Sequence, residues 1–248
     1  MHCERKLKIS VVIPVLNEAE NIVELIENIE LALSNDLEFE IIVVDDASSD
    51  NSREVALGAM KDRPHCRLLT NKRRAGQSAA IHSGVQAAEG EIICTLDGDG
   101  QNPPSELPKL VARLTNPDNP VNLGLVAGQR AKRKDSVSKR LASKIANSIR
   151  SRILRDDTVD TGCGLKAFRR DAFLELPYFN HMHRYLPALF KRAGWSVAHV
   201  DVDHLPRKHG KSNYSNMQRA LVGVFDLFGV YWLIKRKKIV SAEECKLA

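Results

Sequence analysis

The chain has 248 residues, of which 43% are hydrophobic and 27% are charged, enough apolar material for the core of one large or two small domains. Its five cysteines show no paired spacing, which argues against a zinc site or a disulfide framework and indicates a reducing compartment. The N-terminus lacks an apolar signal region and no run of 18 apolar residues occurs, so we expect no export signal and no membrane-spanning helix.

The net charge of +6 is unevenly distributed. Residues 130–155 contain ten Lys or Arg and one acidic residue, Asp135, so this segment carries +9 and the remainder carries −3. A basic segment in a mildly acidic protein indicates an anionic partner, such as phosphate groups, a membrane surface or nucleic acid. A solvated helix face is the structural alternative.

The start of the chain predicts a strand–helix–strand unit. Residues 9–15 and 40–44 are compact runs of β-branched residues, typical of strands that are buried on both faces of a parallel sheet. Apolar residues recur at helical spacing between them, and Asn17 with Glu20 predicts a capping box at the start of that helix. Strand, helix and strand in this order form a βαβ unit.

The same alternation continues along the chain. It predicts strands at 67–70, 91–96 and 123–127, and helices at 51–60, 77–88, 105–114 and 136–154. We therefore predict one α/β domain over residues 1–215, with a mostly parallel sheet and helices on both faces. Residues 216–248 are predicted to form a C-terminal appendage that contains an amphipathic helix.

Acidic and turn residues follow three of the predicted strands. Residues 14–18 read PVLNE, residues 45–50 read DDASSD, and residues 97–104 read DGDGQNPP. Ligands of open α/β sheets bind beyond the carboxyl ends of the strands, so we expect these segments to meet at one edge. Each segment alone fits ordinary turn chemistry, but their coincidence at three strands indicates a binding site.

Asp97 and Asp99 are separated by a single glycine directly after a buried strand. Alternation along an extended segment sends both carboxylates to the same side, and Gly98 lets a ligand approach closely. Two hard oxygen donors suit Mg²⁺ or Mn²⁺ shared with the oxygens of a diphosphate, and Gln101 could supply a third oxygen. We therefore predict a divalent metal site formed by Asp97, Asp99 and Gln101.

The motifs PVLNE, VVDDASSD, LDGDGQNPP and DTGCGLKAFRR, in this order and spacing, resemble family-two inverting glycosyltransferases of the GT-A fold. Within that family the chain is most similar to the polyprenyl-phosphate branch, which includes the dolichol-phosphate mannose synthases. The resemblance runs from about Ile9 to Tyr214. It implies a nucleotide-diphospho-sugar transferase fold and inverting transfer of a sugar from a GDP- or UDP-linked donor to a polyprenyl phosphate, for cell-envelope or glycoconjugate synthesis.

The resemblance also implies which residues contact the nucleotide-sugar. These are Pro14, Leu16, Glu18, Val44, Asp46, Asp97, Gly98, Asp99, Arg130, Arg207 and Lys211. Asp46 would accept an N–H of the base, and Asp99 and Arg130 are the implied catalytic residues. Leu16 stands where the family often has an aromatic residue, and Asn213 where the loop at residues 207–214 usually has Lys.

The resemblance assigns the acceptor phosphate to Lys139, Arg140 and Ser143, in the basic stretch. A phosphate monoester is anionic at neutral pH and needs no general base, whereas a hydroxyl acceptor should have a carboxylate base. Cations would hold the two anionic substrates together, and a metal would stabilise the leaving diphosphate. We therefore assign no base. Asp160 is a candidate for hydrogen bonds to the sugar hydroxyls. His181 and His183 are candidates for contacts with the sugar or the acceptor, with surface loop histidines as the alternative.

The C-terminal appendage combines aromatic and aliphatic residues at 222–233 with four Lys or Arg at 235–238. This composition is typical of an interfacial helix on anionic lipid, and packing on the domain or on a second subunit is the alternative. We expect a cytoplasmic protein that associates peripherally with the cytoplasmic face of a membrane. A second copy of the chain and an integral-membrane protein are further candidate partners.

Three other functions compete with this one. A transferase with a saccharide hydroxyl as acceptor would share the donor site but should carry a carboxylate base where this chain has cations. A nucleic-acid-binding protein could use the basic stretch, but it leaves the acidic strand ends unexplained, and we expect no nucleic-acid partner. A nucleotidyltransferase would need a Gly-rich, Lys-bearing phosphate loop near the first strand, which PVLNE is not.

Overall fold

The computed structural model describes residues 7–33, 37–130, 150–206 and 216–236, the last range without the side chains of 216–222. Five of the predicted site residues lie outside the described residues, namely Lys139, Arg140, Ser143, Arg207 and Lys211. Most of the helix predicted at 136–154 also lies outside them, and residues 150–154 are helical.

The described secondary structure alternates between strands and helices. The strands are β1 (Lys8–Val15), β2 (Glu38–Asp45), β3 (Cys66–Thr70), β4 (Ile92–Thr95), β5 (Leu123–Arg130), β6 (Lys166–Arg169) and β7 (Ser196–Val202). The helices are α1 (Ala19–Leu33), α2 (Ser52–Met60), α3 (Gln77–Ala87), α4 (Leu107–Thr115), α5 (Arg170–Leu174), α6 (Leu186–Ala193) and α7 (Asn216–Lys235). Short 3₁₀ turns occur at Pro104–Glu106 and Met182–Arg184.

The strands form one mixed sheet in the order β3-β2-β1-β4-β6-β5-β7. β1 pairs in parallel with β2 and β4, β2 with β3, and β5 with β7. β6 runs antiparallel between β4 and β5, where Lys166 lies opposite Thr95 and Ala127. The predicted mostly parallel α/β sheet is confirmed, and the antiparallel β6 is the departure from it.

Helices cover both faces of the sheet, as alternation along β1 illustrates. Val11 and Ile13 pack into a cluster with the apolar faces of α1 and α4. Val12, between them, packs into the opposite cluster with α3, α5 and α6. Each of these side chains is at most 1% exposed. The strands therefore consist of near-continuous apolar runs, because both of their faces are buried.

α7 packs against the rest of the structure through one face. The Tyr185 hydroxyl donates to the carbonyl of Gly223 at 3.1 Å, and Nδ1 of His181 lies 3.0 Å from Oδ2 of Asp226. Val230 on this helix is buried in the cluster that Val12 forms with α3, α5 and α6. Among the described helices, none has the length and apolarity that crossing a membrane requires.

Asn17 does not form the predicted capping box. Its φ angle is 58°, and its side-chain oxygen accepts the backbone N–H of Ser49 at 2.8 Å and that of Asp50 at 3.4 Å. Asn17 therefore joins the loop after β1 to the loop after β2. This contact holds together two of the strand ends that were predicted to meet.

The packing of α3 on the sheet depends on Gly84. A Cβ atom at this position would overlap Cγ1 of Val12 and lie 3.1 Å from Cγ2 of Val44. Gly58, in the interior of α2, has no atom within 4 Å of the same point and serves as the matched control.

We predict that Gly84→Ala lowers the free energy of unfolding by about 1–2 kcal/mol, because overpacking outweighs the roughly 0.5–1 kcal/mol that alanine gains in a helix. Gly58→Ala should raise the free energy of unfolding by about 0.5–1 kcal/mol. Urea denaturation followed by circular dichroism measures both. Equal effects of the two substitutions would contradict the packing described for α3.

Candidate functional site

A cavity of about 610 Å³ opens at the carboxyl ends of β1, β2 and β4. All three predicted strand-end segments contribute to its wall, together with the start of α3, the loop after Asp160 and the turn at Met182–Arg184. The predicted site residues that line it are Pro14, Leu16, Glu18, Asp46, Asp97, Gly98, Asp99, Gln101 and Arg130. Val44 is not among them, since it is fully buried beneath α3.

Asp97 and Asp99 form the acidic part of the cavity. The carboxylate of Asp97 accepts the side-chain amides of Gln77 at 2.7 Å and Asn102 at 3.1 Å. Burial raises the pKa of Asp97, and the neighbouring Asp99 raises it further, while Lys166 acts in the opposite direction. A buried carboxylate whose charge is further disfavoured by a neighbouring carboxylate favours a cation beside it.

Two glycines make room for this acidic pair. A Cβ on Gly98 would lie 2.8 Å from Cγ1 of Val15 and 3.0 Å from the carbonyl oxygen of Pro14. A Cβ on Gly164 would lie 2.5 Å from the carboxyl group of Asp97. Both positions therefore require glycine: Gly98 lets the acidic segment pass close to β1, and Gly164 lets its loop pass close to the carboxyl group of Asp97.

The donor set fits a hard divalent cation. Asp97, Asp99 and Gln101 line the same cavity and offer only oxygen atoms to a metal, once the Gln101 amide nitrogen is turned away. That nitrogen lies 3.5 Å from the carbonyl oxygen of Leu205, and the backbone carbonyl of Gln101 accepts the Leu205 N–H at 2.9 Å. The Leu205 contacts thus orient Gln101 and connect the acidic segment to the chain after β7.

Asp46 is 3% exposed and already has several hydrogen-bond donors. Oδ1 accepts the Asn71 side-chain amide at 2.7 Å and the Ala75 N–H at 2.9 Å, and Oδ2 accepts the Gly76 N–H at 2.7 Å. The loop between β3 and α3 is therefore folded onto Asp46. The sequence predicts that the Asp46 carboxylate binds the nucleotide base. The structure shows that it also holds this loop.

Arg130 and Asp160 form a bidentate ion pair at the edge of the cavity. Nε and Nη2 of Arg130 donate to the two carboxylate oxygens at 2.6 and 2.7 Å, and both side chains are largely buried. Asp160 also accepts the Gly162 N–H at 3.2 Å. Asp160 was predicted as a candidate to bind sugar hydroxyls, whereas here it holds the guanidinium that was predicted to contact phosphate.

Lys166 lines the cavity and was missed by the sequence analysis. It lies on β6 and is 5% exposed, and its ammonium donates to the carbonyl of Cys163. Burial lowers the pKa of Lys166, while Cys163, Asp97 and Asp160 act in the opposite direction. The available signal was a lone lysine between the apolar residues Leu165 and Ala167, within a quoted motif.

Three further cavity residues come from segments distant in sequence. His183 and Arg184 belong to the turn at Met182–Arg184, and His204 precedes Leu205. His183, a candidate from the sequence, does line the cavity. His181, which was considered with it, instead contacts Asp226 of α7. His204 was not singled out from the sequence, since a single histidine in a polar segment carries no distinguishing pattern.

Comparisons with known proteins agree with this geometry. Residues 10–176 match the model of the family described as glycosyl transferase family 2. The chain is 35% identical over 221 residues to the undecaprenyl-phosphate 4-deoxy-4-formamido-L-arabinose transferase of Photorhabdus laumondii, covering 88% of this chain and 66% of the relative. It is 37% identical over 210 residues to the enzyme of the same name from Pectobacterium carotovorum, covering 84% and 62%. The chain thus spans less than two thirds of the length of these relatives.

Solved structures show the same fold. Glucosyl-3-phosphoglycerate synthase from Mycobacterium tuberculosis, in complex with Mn²⁺, UDP-glucose and phosphoglyceric acid, superposes with a TM-score of 0.71 at 20% identity, covering 91% of this chain and 80% of that one. The complex of the same enzyme with Mn²⁺, UDP and glucosyl-3-phosphoglycerate gives a TM-score of 0.69 at 21% identity, and the match covers 95% of this chain and 82% of that one. The predicted GT-A fold is confirmed by these likenesses. The family match, the curated relatives and the fold agree, and the chain belongs to glycosyl transferase family 2.

Proposed function

We propose that this protein transfers a sugar, with inversion, from a nucleotide-sugar to a polyprenyl phosphate. The observation that carries the proposal is the juxtaposition, in one cavity, of the Asp97–Asp99 pair with the cationic side chains of Arg130 and Lys166. Such a site can hold a metal–diphosphate and a second anion together. The names of the curated relatives support the lipid phosphate as the acceptor, since they are undecaprenyl-phosphate sugar transferases.

Asp97, Asp99 and Gln101 would hold Mg²⁺ or Mn²⁺, which supplies a positive charge next to the leaving diphosphate when it is bound. Arg130 is held through Nε and Nη2 by Asp160, so its Nη1 edge is the side left to meet a phosphate oxygen. Because the ion pair fixes the guanidinium before substrate binds, Arg130 stabilises the developing charge without reorganising.

The acceptor is better described as a phosphate than as a saccharide hydroxyl. A hydroxyl acceptor needs a carboxylate that is available as a base. Among the described residues at the cavity, Asp46, Asp97 and Asp160 each accept at least two hydrogen bonds from the protein. Glu18 accepts the Asn21 amide at 2.7 Å. Asp99 accepts the Gln101 N–H at 3.1 Å and is proposed to bind the metal. These carboxylates are therefore committed to structure or to the metal, and an anionic acceptor needs none of them.

Asp46 favours a uracil base over guanine. A carboxylate offers about four lone-pair sites, and three are taken by Asn71, Ala75 and Gly76. One site accepts the single N3–H of uracil, whereas guanine presents two adjacent N–H donors that require both oxygens. We therefore propose UDP as the nucleotide of the donor.

The exposed face of α7 fits a membrane surface. This apolar face consists of Val224, Phe225, Phe228, Tyr231 and Trp232, which are 41–77% exposed. Lys235 and Arg236 follow at its end, and aromatic bulk beside cations is typical of helices that lie on anionic lipid. We propose that this face binds the cytoplasmic face of a membrane, where a polyprenyl phosphate is held. A second copy of the chain is the alternative occupant.

The choice of base can be tested by titration calorimetry with UDP and GDP in the presence of Mn²⁺. We predict that UDP binds at least about tenfold more tightly, because one unsatisfied N–H of guanine in a dry pocket costs roughly 1–3 kcal/mol. UMP and GMP, titrated in parallel, separate the contribution of the base from that of the diphosphate. Equal or tighter binding of GDP would refute the assignment of uracil.

The transfer itself can be tested with UDP- and GDP-linked radiolabelled sugars and a short polyprenyl phosphate, with and without Mg²⁺ or Mn²⁺. We predict that Asp99→Asn lowers turnover by about 100-fold or more, since it removes an anionic metal ligand without changing side-chain size. Asp118→Asn, the same change on an exposed loop, should have no effect. Retained turnover and an unchanged metal requirement in Asp99→Asn would refute the metal site.

The membrane contact can be tested by sedimentation with anionic liposomes. We predict that the combined substitution of Phe225, Phe228 and Trp232 by Ser reduces binding at least about tenfold, because burial of each side chain contributes roughly 1.5–3 kcal/mol. Leu31 and Leu57 are exposed apolar residues on α1 and α2. Their replacement by Ser is the control. Unchanged liposome binding together with loss of a dimeric mass would identify the face as a subunit interface instead.

A further inference from the structure

Ser78 and His183 form a partly buried contact between elements that are 105 residues apart in sequence. Ser78 is the second residue of α3 and is 3% exposed, and His183 lies in the turn at Met182–Arg184. The Ser78 hydroxyl oxygen accepts the backbone N–H of His183 at 3.2 Å and lies 2.7 Å from Nδ1 of its ring. The serine thus contacts the histidine at two points and fixes the orientation of the imidazole.

We assign the Ser78 hydroxyl as the donor and Nδ1 as the acceptor in this contact. The Ser78 oxygen already accepts the backbone N–H of His183. Among the described contacts, Nδ1 of His183 is the acceptor for the hydroxyl proton of Ser78. Burial lowers the pKa of His183 well below its ordinary value, and Arg184 and Lys166 lower it further, so the ring is neutral. A neutral imidazole that accepts at Nδ1 carries its proton on Nε2.

Nε2–H is the polar group of the His183 ring that the contact with Ser78 leaves for the cavity. Both contacts with Ser78 involve the backbone and the Nδ1 side of the ring, so Nε2 lies on the side away from α3. His183 lines the cavity beside Lys166, Arg184 and Leu186. Gln77, the residue before Ser78, donates to Asp97. His183 therefore shares the cavity with Asp97 and is connected to it through the adjacent residues Ser78 and Gln77.

A neutral donor suits a different ligand group from the cations around it. Arg130, Lys166 and the proposed metal already supply positive charge for phosphate oxygens. An uncharged N–H of fixed direction is matched to an uncharged oxygen, and a site built to hydrogen-bond one hydroxyl rejects an analogue that lacks it or displays it elsewhere.

We infer that His183, oriented by Ser78, donates Nε2–H to a hydroxyl of the transferred sugar and thereby contributes to the choice of sugar. This inference rests on the proposed function, since it concerns the donor of the same site. His183 is the residue that touches substrate, and Ser78 is a positioning residue that acts through it.

The test compares UDP with UDP-sugars on four variants in the presence of Mn²⁺. A panel of UDP-sugars is first offered to the wild-type protein with a short polyprenyl phosphate, and the sugar with the highest turnover and its epimer become the probes. His183→Phe removes the donor, and His183→Gln places an amide N–H near the position of Nε2. Ser78→Ala releases the tautomer. His82→Gln is the matched control, because His82 lies on α3 against Tyr178, with ring centroids 4.9 Å apart, and does not line the cavity.

We expect binding of UDP to stay within twofold of wild type in all four variants. Binding and kcat/KM for the preferred UDP-sugar should fall about tenfold in His183→Phe, the loss expected for one hydrogen bond. The discrimination against the epimer should narrow by a similar factor. His183→Gln should recover part of the loss, Ser78→Ala should show an intermediate loss, and His82→Gln should behave as wild type.

Two results would overturn the inference. A parallel loss of UDP and UDP-sugar binding in His183→Phe would mean that the residue serves the diphosphate or the fold. Unchanged selectivity between the epimers would mean that it does not contact the sugar. Failure of the proposed function is distinguished at the first step, because the wild-type protein would then transfer no sugar from any member of the panel.

Discussion

Asp97 and Asp99, which are separated only by Gly98, place two negative charges close together in a partly buried cavity. The cationic side chains of the site compensate for this negative charge. β6 runs antiparallel between β4 and β5, which brings Lys166 level with Thr95, two residues before Asp97. Arg130 ends β5 and is held by Asp160. The positive charges of Lys166 and Arg130 offset the charge of Asp97, and in the function that we propose they also meet the anionic substrates. The reversed direction of β6 is therefore part of the chemistry of the site.

The turn at Met182–Arg184 connects the cavity to the C-terminal helix. His183 and Arg184 line the cavity, while His181 and Tyr185, on either side, contact Asp226 and Gly223 of α7. The helix that we propose to meet the membrane is thus packed directly against a wall of the site. In the function that we propose, this contact holds the membrane-facing helix at a fixed position relative to the cavity.

Much of the fold was predictable from local pattern. β1, β2 and β4 were located within two residues at each end, since apolar runs with turn residues at their ends have few alternative structures. β6 and β7 were missed for a physical reason. β6 has four residues, one of which is the buried Lys166, and β7 is mostly half-buried, so neither shows a continuous apolar run or clean alternation. The position of these strands is decided by pairing with β4 and β5.

The sequence by itself determined the chemistry at the strand ends, because a buried parallel strand followed by acidic and turn residues has to deliver them to one edge of the sheet. It could not determine their partners. Asp160 pairs with Arg130 from 30 residues away, Asp46 binds a loop that begins 25 residues later, and Ser78 orients His183 across 105 residues. No periodic pattern in the sequence indicates such pairs of side chains. They exist only when strand order and helix packing bring the side chains within hydrogen-bonding distance, and therefore only the tertiary structure decided which polar groups are committed and which face the substrate.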